Sequence, residues 1–352
     1  MKSLPKELPA LLLDWYAQGH RDLPWRHDRE PYHVWLSEIM LQQTRVEAVR
    51  SYYTRFLAAL PTISALAACD ANRLEKLWEG LGYYTRVRNL QRAAQMIVRD
   101  YGGEFPRSYA DVHSLPGIGD YTAGAICSIC FEMPTPAVDG NVLRVLSRVM
   151  ADAEPVTKQS VKQTYGERLA ELYPAGRCGD FTQALMELGA TVCVPNGTPD
   201  CGECPLSALC LADRQGRQTD FPVRQAKKPR RIEEKTVLVL TSGDCLAVRK
   251  RPEKGLLAGL WELPNTEGRL DAEQALDWAQ TLGVRPVELL KMTEKTHVFT
   301  HVQWDLRGFY MKCAEKSEAL TWADDSRLAS DVALPTAFRM FLESSPESCM
   351  KD

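Results

Sequence analysis

Between two stretches of helical pattern, Leu115-Pro116-Gly117-Ile118-Gly119-Asp120 packs a proline and two glycines into six residues. So tight a turn leaves successive backbone N–H groups pointing outward at the start of the next helix, an arrangement that suits a phosphate. Gly117 and Gly119 are the candidate backbone contacts, and Asp120 is placed to cap the helix. From Thr122 to Phe131 the residues are mostly small or apolar, as in a buried helix, until Pro134 and Pro136 break the pattern. Asp139 then stands where a second helix begins, with Val142, Val145, Leu146 and Val149 on one face. Taken alone, Asp139 or Asn141 is an N-cap of that helix and nothing more.

At 352 residues the chain is long enough for two domains, each with a core of its own. Neither a secretory leader nor a membrane span is expected, which points to the cytoplasm. Net charge is −3, but residues 1–232 hold 28 Lys and Arg against 26 Asp and Glu, and the remainder 15 against 20. Contact with nucleic acid would therefore come from local patches and backbone N–H groups, not from a global field.

Val34 to Thr44 is apolar on nearly every side of a helix except at Glu38, whose neighbours three positions away are Trp35 and Leu41. A carboxyl in such surroundings keeps its proton near neutrality, as a general acid must. A buried glutamate paired with an arginine, or one facing solvent, fits the segment equally well. Helical patterns continue through Val46–Leu60 and Leu74–Trp78 to a glycine-flanked turn, Gly80-Leu81-Gly82-Tyr83-Tyr84-Thr85-Arg86-Val87-Arg88. Here an aromatic side chain could wedge into a base stack while the arginines hold phosphates; a plain surface turn is the alternative.

Beyond helices expected near 158–173 and 180–192, Cys193, Cys201, Cys204 and Cys210 follow the spacing C-x7-C-x2-C-x5-C. Four thiols in a short Pro/Gly-rich loop suit zinc or an iron–sulfur cluster. Zinc sites usually pair two C-x2-C motifs or add histidines, which are lacking here. Cys127 and Cys130 lie in an apolar helix and read as core. Residues 223–234 form a basic linker that includes Lys227 and Lys228, and a mixed α/β domain is expected over 235–345. In it Thr236–Thr241 and Cys245–Val248 form a hairpin, 271–282 is a helix, and His297–Val302 starts a strand continued by Trp304–Lys312.

In order along the chain, Trp35 to Thr44, Leu81 to Tyr84, Leu115 to Gly119, Val138 to Val142 and the four-cysteine loop closely resemble the MutY-type adenine DNA glycosylases of the helix-hairpin-helix superfamily. The resemblance implies a mainly α, two-lobed catalytic domain over 1–222 with a hairpin motif near 111–131 and a [4Fe-4S] cluster on Cys193, Cys201, Cys204 and Cys210. A C-terminal Nudix-like domain completes it. It also implies removal of adenine opposite 8-oxoguanine or guanine in double-stranded DNA, by a monomer associated with a bacterial nucleoid. Glu38 matches the acid that protonates adenine, and Asp139 the carboxylate that stabilises the sugar cation, the division of labour of retaining glycosidases. Tyr121 and Asn141 match residues lining the same site, and Arg26 and Gln183 match positions around the extruded base. Gln43 and Tyr83 match side chains that fill or wedge the stack, and Phe299-Thr300-His301 resembles the Phe-Ser-His loop that reads 8-oxoguanine. Partner proteins leave no signature.

Three departures stand out: Thr300 replaces serine, the first cysteine gap has one residue more than the usual six, and Tyr121 stands where related strand-cutting enzymes carry a Schiff-base lysine. A phenol cannot form that imine, so little or no lyase activity is expected. Nudix hydrolysis is not expected either. Gly259 to Pro264 resembles the approach to a Nudix box, but Asp271 to Gly283 lacks the paired glutamates that would hold magnesium.

Overall fold

The computed structural model describes residues 3–225 and 229–343; Lys227 and Lys228 of the expected linker, and 344–345 of the expected second domain, lie outside them. Two compact units result: one of Met1–Ala68 and Arg88–Ala226, the other of Cys69–Val87 and Lys227–Asp352. The second unit thus takes in Cys69–Val87, which lies within the 1–222 expected for the first domain.

The helices in order are α1 (Leu8–Gln18), α2 (Pro31–Leu41), α3 (Val46–Ala59), α4 (Ile63–Ala68), α5 (Ala71–Leu77), α6 (Thr85–Tyr101), α7 (Tyr109–Ser114), α8 (Asp120–Phe131), α9 (Gly140–Met150), α10 (Gln159–Ala170), α11 (Cys178–Thr191) and α12 (Leu211–Arg214). In the first unit α1, α9, α10 and α11 share one core, built from Leu8, Leu12, Val142, Val145, Leu146, Tyr165, Phe181 and Leu188. Helix α2 packs against α3 and α8 and is buried almost all round, with Trp35, Leu36 and Met40 fully enclosed. A large side chain removed from water in this way stabilises the fold by roughly 1.5–3 kcal/mol.

Two glycines set how closely the elements around Asp139 approach. A Cβ on Gly124 in α8 would stand 2.1 Å from the carbonyl oxygen of Pro136, so the proline-bounded loop lies directly on the helix backbone. A Cβ on Gly189 in α11 would stand 2.7 Å from the Asn141 Cβ. Gly124→Ala is expected to destabilise the first unit by about 3 kcal/mol, because backbone must move to admit the methyl. Thermal unfolding followed by circular dichroism checks this, with a fall in Tm of roughly 10 °C expected.

Asp120 does not cap α8. Gly119 holds the N-cap position, and Asp120 is the first helical residue, its Oδ1 2.9 Å from His113 Nε2. Asp139 does cap α9: its Oδ1 accepts from the backbone N–H groups of Asn141 (2.9 Å) and Val142 (2.8 Å).

The second unit carries a mixed sheet of β1 (Arg231–Ser242), β2 (Cys245–Lys250), β3 (Trp261–Glu262), β4 (Asn265–Glu267), β5 (Pro286–Val298), β6 (Val302–Cys313) and β7 (Thr321–Ala323). The path runs β3-β2-β1-β6-β5, with β4 on β1 and β7 on β2. Strands β1 and β2 form the expected antiparallel hairpin, and β1 lies parallel to β6 from Arg231↔Val302 to Thr241↔Lys312. Because that pairing runs the full length of β1, the strand begins at Arg231, inside the stretch expected as linker.

Alternation along β1 sends Leu238 and Leu240 to one face, under Ala275 and Ala279 of helix α13 (Ala272–Thr281). Val237 and Val239 face the other side, where Phe338 and Phe341 of helix α15 (Thr336–Leu342) pack; helix α14 (Asp325–Ser330) precedes it. The strand expected to start at His297 is instead a hairpin corner. β5 ends at Val298, residues 299–301 turn, and β6 begins at Val302, with Phe299 N–H donating to Val302 O at 2.8 Å.

Candidate active site

One cleft of the first unit gathers Glu38, Tyr121, Asp139 and Asn141, with Arg26, Gln43, Gln183, Gly117 and Gly119 also on its walls. Glu38 projects from α2, Tyr121 from the first turn of α8 and Asp139 from the start of α9. The Tyr121 hydroxyl donates to Glu38 Oε2 at 2.7 Å. Burial pushes the Glu38 carboxyl up to about 7, the Tyr121 hydrogen bond opposes this, and the charge of Asp139 adds to it. The buried glutamate therefore takes a phenol as its partner, not an arginine.

Asp139 is also raised by burial, against the opposing pull of the N–H groups of Val142 and Asn141, the Asn141 side chain and the charge of Arg144. Asn141 Nδ2 donates to Asp139 Oδ2 at 2.8 Å. Thus Glu38 relies on a single hydrogen bond from Tyr121, whereas Asp139 sits at a helix N-terminus among three N–H donors, which favour its anion.

Arg26 and Gln183 reach the cleft through partners that sequence reading missed. Arg26 Nη2 donates to Glu187 Oε2 at 2.8 Å, and Arg21 forks onto the same carboxylate at 2.8 Å through Nε and Nη2. Glu187 is buried, and despite the burial the two arginines pull it down to about 2. Tyr16 donates to Gln183 Oε1 at 3.3 Å. The signal for Glu187 was the same as for Glu38, a lone acid in an apolar helical run, Ala184-Leu185-Met186-Glu187-Leu188. Lys162 of α10 also lines the cleft.

Gln43 (φ 59°) and Tyr83 (φ 49°) both hold left-handed backbone, uncommon for residues with a side chain and typical of functional strain. Tyr83 is exposed, whereas Tyr84 is buried. Arg86 folds back onto its own segment. Its guanidinium lies 5.2 Å from the Trp78 ring centroid and donates to the carbonyls of Leu81 (2.9 Å) and Gly82 (3.0 Å), with burial pulling it down to about 10. Within the second unit, the Tyr83 hydroxyl meets Thr300 Oγ1 at 2.6 Å. Phe299 is anchored on Trp304 at 4.8 Å between ring centroids, leaving Thr300 and His301 exposed at the corner.

Cys193, Cys201, Cys204 and Cys210 line one cavity walled by Val145, Val149, Leu188 and Leu206. Among the described residues no group of three or more His, Cys, Asp or Glu side chains is gathered at metal-binding distance. The donor set nonetheless fits a cluster, since four thiols face one apolar hollow and Arg148 Nη1 donates to Cys193 Sγ at 3.2 Å. Arg144 ties the hollow to the cleft, donating to Cys193 O (2.8 Å), Gly189 O (2.6 Å) and Asn141 Oδ1 (2.9 Å). No helix of the described residues is long and apolar enough to cross a membrane.

Residues 36–171 match the HhH-GPD superfamily of base excision DNA repair proteins, and 236–344 match the NUDIX domain. A thermostable thymine-DNA glycosylase is similar in structure, with a TM-score of 0.54 at 28% identity over 60% of this chain and 96% of that one. Endonuclease III in a non-covalent DNA complex gives 0.51 at 25% over 60% and 98%. With these matches, the helical unit and its cleft define a helix-hairpin-helix base excision DNA glycosylase, and the sheet unit its Nudix domain.

Adenine DNA glycosylases are similar over nearly the whole chain. The rat (Rattus norvegicus) enzyme is 35% identical over 96% of this chain and 78% of its own length, the human (Homo sapiens) enzyme 33% over 96% and 74%. That of Buchnera aphidicola subsp. Schizaphis graminum is 32% identical over 95% and 97%. The chain belongs to the adenine DNA glycosylase family.

Proposed function

We propose that the protein removes adenine paired with 8-oxoguanine or guanine, hydrolysing the N-glycosidic bond of a nucleotide flipped out of duplex DNA. The observation that carries this reading is the Tyr121-bound Glu38, raised to about 7, in one cleft with the helix-capping Asp139. Protonated Glu38 gives its proton to adenine N7 and the base leaves with the bond electrons. Asp139 stabilises the oxocarbenium ion left on the sugar, and Glu38, now a carboxylate, takes a proton from the water that adds to C1′.

Tyr121 holds the Glu38 carboxyl, and Asn141 holds Asp139. Arg26, fixed by Glu187, and Gln183 bracket the extruded base, while the N–H groups at Gly117 and Gly119 take a backbone phosphate. Gln43 and Tyr83 fill the stack, and the corner at Phe299, Thr300 and His301 reads the opposite base. Cys193, Cys201, Cys204 and Cys210 hold a [4Fe-4S] cluster, which when bound cross-links the loop to itself. Residues 1–222 act as the catalytic domain and 235–345 as the recognition domain of a monomeric, cytoplasmic enzyme.

With Tyr121 in place of a lysine, strand cleavage does not accompany base release. The test is single-turnover adenine release from duplexes with adenine opposite 8-oxoguanine, guanine or thymine, with and without alkali. Release from the first two and strand breaks only after alkali are expected. Breaks without alkali would reject the monofunctional reading and turn attention to Lys162; no release from cluster-loaded protein would reject the catalytic one.

A further inference from the structure

The segment that bears Tyr83 is fastened to the C-terminal part of the chain by two charged side chains of its own. Lys76 Nζ donates to Leu328 O at 2.6 Å and Val332 O at 3.3 Å, and pairs with Glu79 Oε2 at 2.7 Å. Glu79 Oε1 in turn accepts from the backbone N–H of Leu334 at 2.8 Å. Both side chains are largely shielded from water, and Lys76 reaches carbonyls in and just beyond the last turn of α14, where a cation is favoured. A second tie joins Lys250 Nζ to Asn72 Oδ1 at 2.9 Å.

At the far end of the same segment, the Tyr83 hydroxyl meets Thr300 at 2.6 Å. Such ties explain why Cys69–Val87 forms one compact unit with the sheet domain. Charge-assisted bonds in shielded surroundings are the strong ones, and losing one partner leaves the other uncompensated.

We propose that Lys76 and Glu79 are positioning residues for mispair discrimination. By fixing the 69–87 segment to residues 328–334, they keep the strained Tyr83 turn in register with the 299–301 corner, so that wedge and base-reading loop engage one nucleotide as a single element. This rests on the roles proposed above for Tyr83 and Thr300. Neither Lys76 nor Glu79 lines the cleft, so bond breaking itself does not depend on them.

The experiment uses the full, cluster-loaded chain and compares single-turnover rates for adenine opposite 8-oxoguanine and opposite guanine. Lys76→Met is expected to lower the preference for 8-oxoguanine about tenfold, with the rate opposite guanine within about twofold of the parent. Glu79→Ala should act in the same direction, and Lys76→Arg, which can still donate to both carbonyls, should restore the preference. An unchanged ratio in Lys76→Met and Glu79→Ala, with the parent showing a clear preference, overturns the inference alone. Equal loss on both duplexes overturns it too, since the tie would then serve general stability. A parent with no preference overturns the base-reading role of the 299–301 corner and this inference with it.

Discussion

Replacing Glu38 with glutamine is expected to cut single-turnover adenine release about a thousandfold while making the protein more stable above neutral pH. On the mechanism proposed above, the loss is that of a general acid placed against its leaving group. The gain follows from the same burial. In the unfolded chain Glu38 ionises near its ordinary value of 4.5, whereas in the fold it holds its proton to about 7. Between those pH values the unfolded state sheds a proton that the folded state keeps, so stability falls as pH rises through the window and stays lowered above it, by about 3 kcal/mol.

Glutamine has no proton to lose and can accept the Tyr121 hydrogen bond through its amide oxygen. Denaturant unfolding at pH 8 should therefore favour the variant, and the two proteins should converge near pH 4. The pH profile of the parent carries the matching signature: release falls tenfold per unit once pH passes well above 7. A variant both inactive and less stable at pH 8 would contradict the acid assignment.

Asp139→Asn separates the second carboxylate's charge from its structural work. Asparagine caps helices about as well as aspartate, so α9 should keep its first turn and Tm should change little. On the proposed mechanism what disappears is the negative charge that stabilises the developing sugar cation, and release should fall by about a hundredfold or more. If Asp139 were only the cap, Asp139→Asn would stay active and Asp139→Ala, which costs about 1 kcal/mol of helix stability, would be the damaging change. Measuring both variants for rate and unfolding decides between these.

Local chemistry made much of this legible. The Pro/Gly turn, the apolar run around Glu38 and the apolar stripe after Asp139 each determine structure within a few residues, and each led to a wall of the cleft. The strand pair at β1 and β2 was legible for the same reason. What escaped depends on distant partners. Strand β5 (Pro286–Val298) lies at a sheet edge, and its half-buried positions are taken by Lys291, Thr293, Lys295 and His297 while Met292 and Val298 face outward, so no apolar alternation marks it in the sequence. Without it, the 299–301 corner read as strand. Arg86 is the exception: its partners Trp78, Leu81 and Gly82 are close in sequence, and what was not legible is the turn that folds the guanidinium back over them. Glu187 acquires its meaning only from arginines more than 160 positions away.

Helix α9 spans 11 residues, and both of its ends are spoken for. Asp139 caps the first turn, and Arg148 near the last holds the sulfur of Cys193, with Arg144 between them joining Asn141 to the same cysteine's carbonyl. One guanidinium, that of Arg144, thus carries Asn141, Gly189 and Cys193 together, so a displacement of the cysteine loop is passed through Asn141 to the carboxylate of Asp139 without any change in the helices themselves.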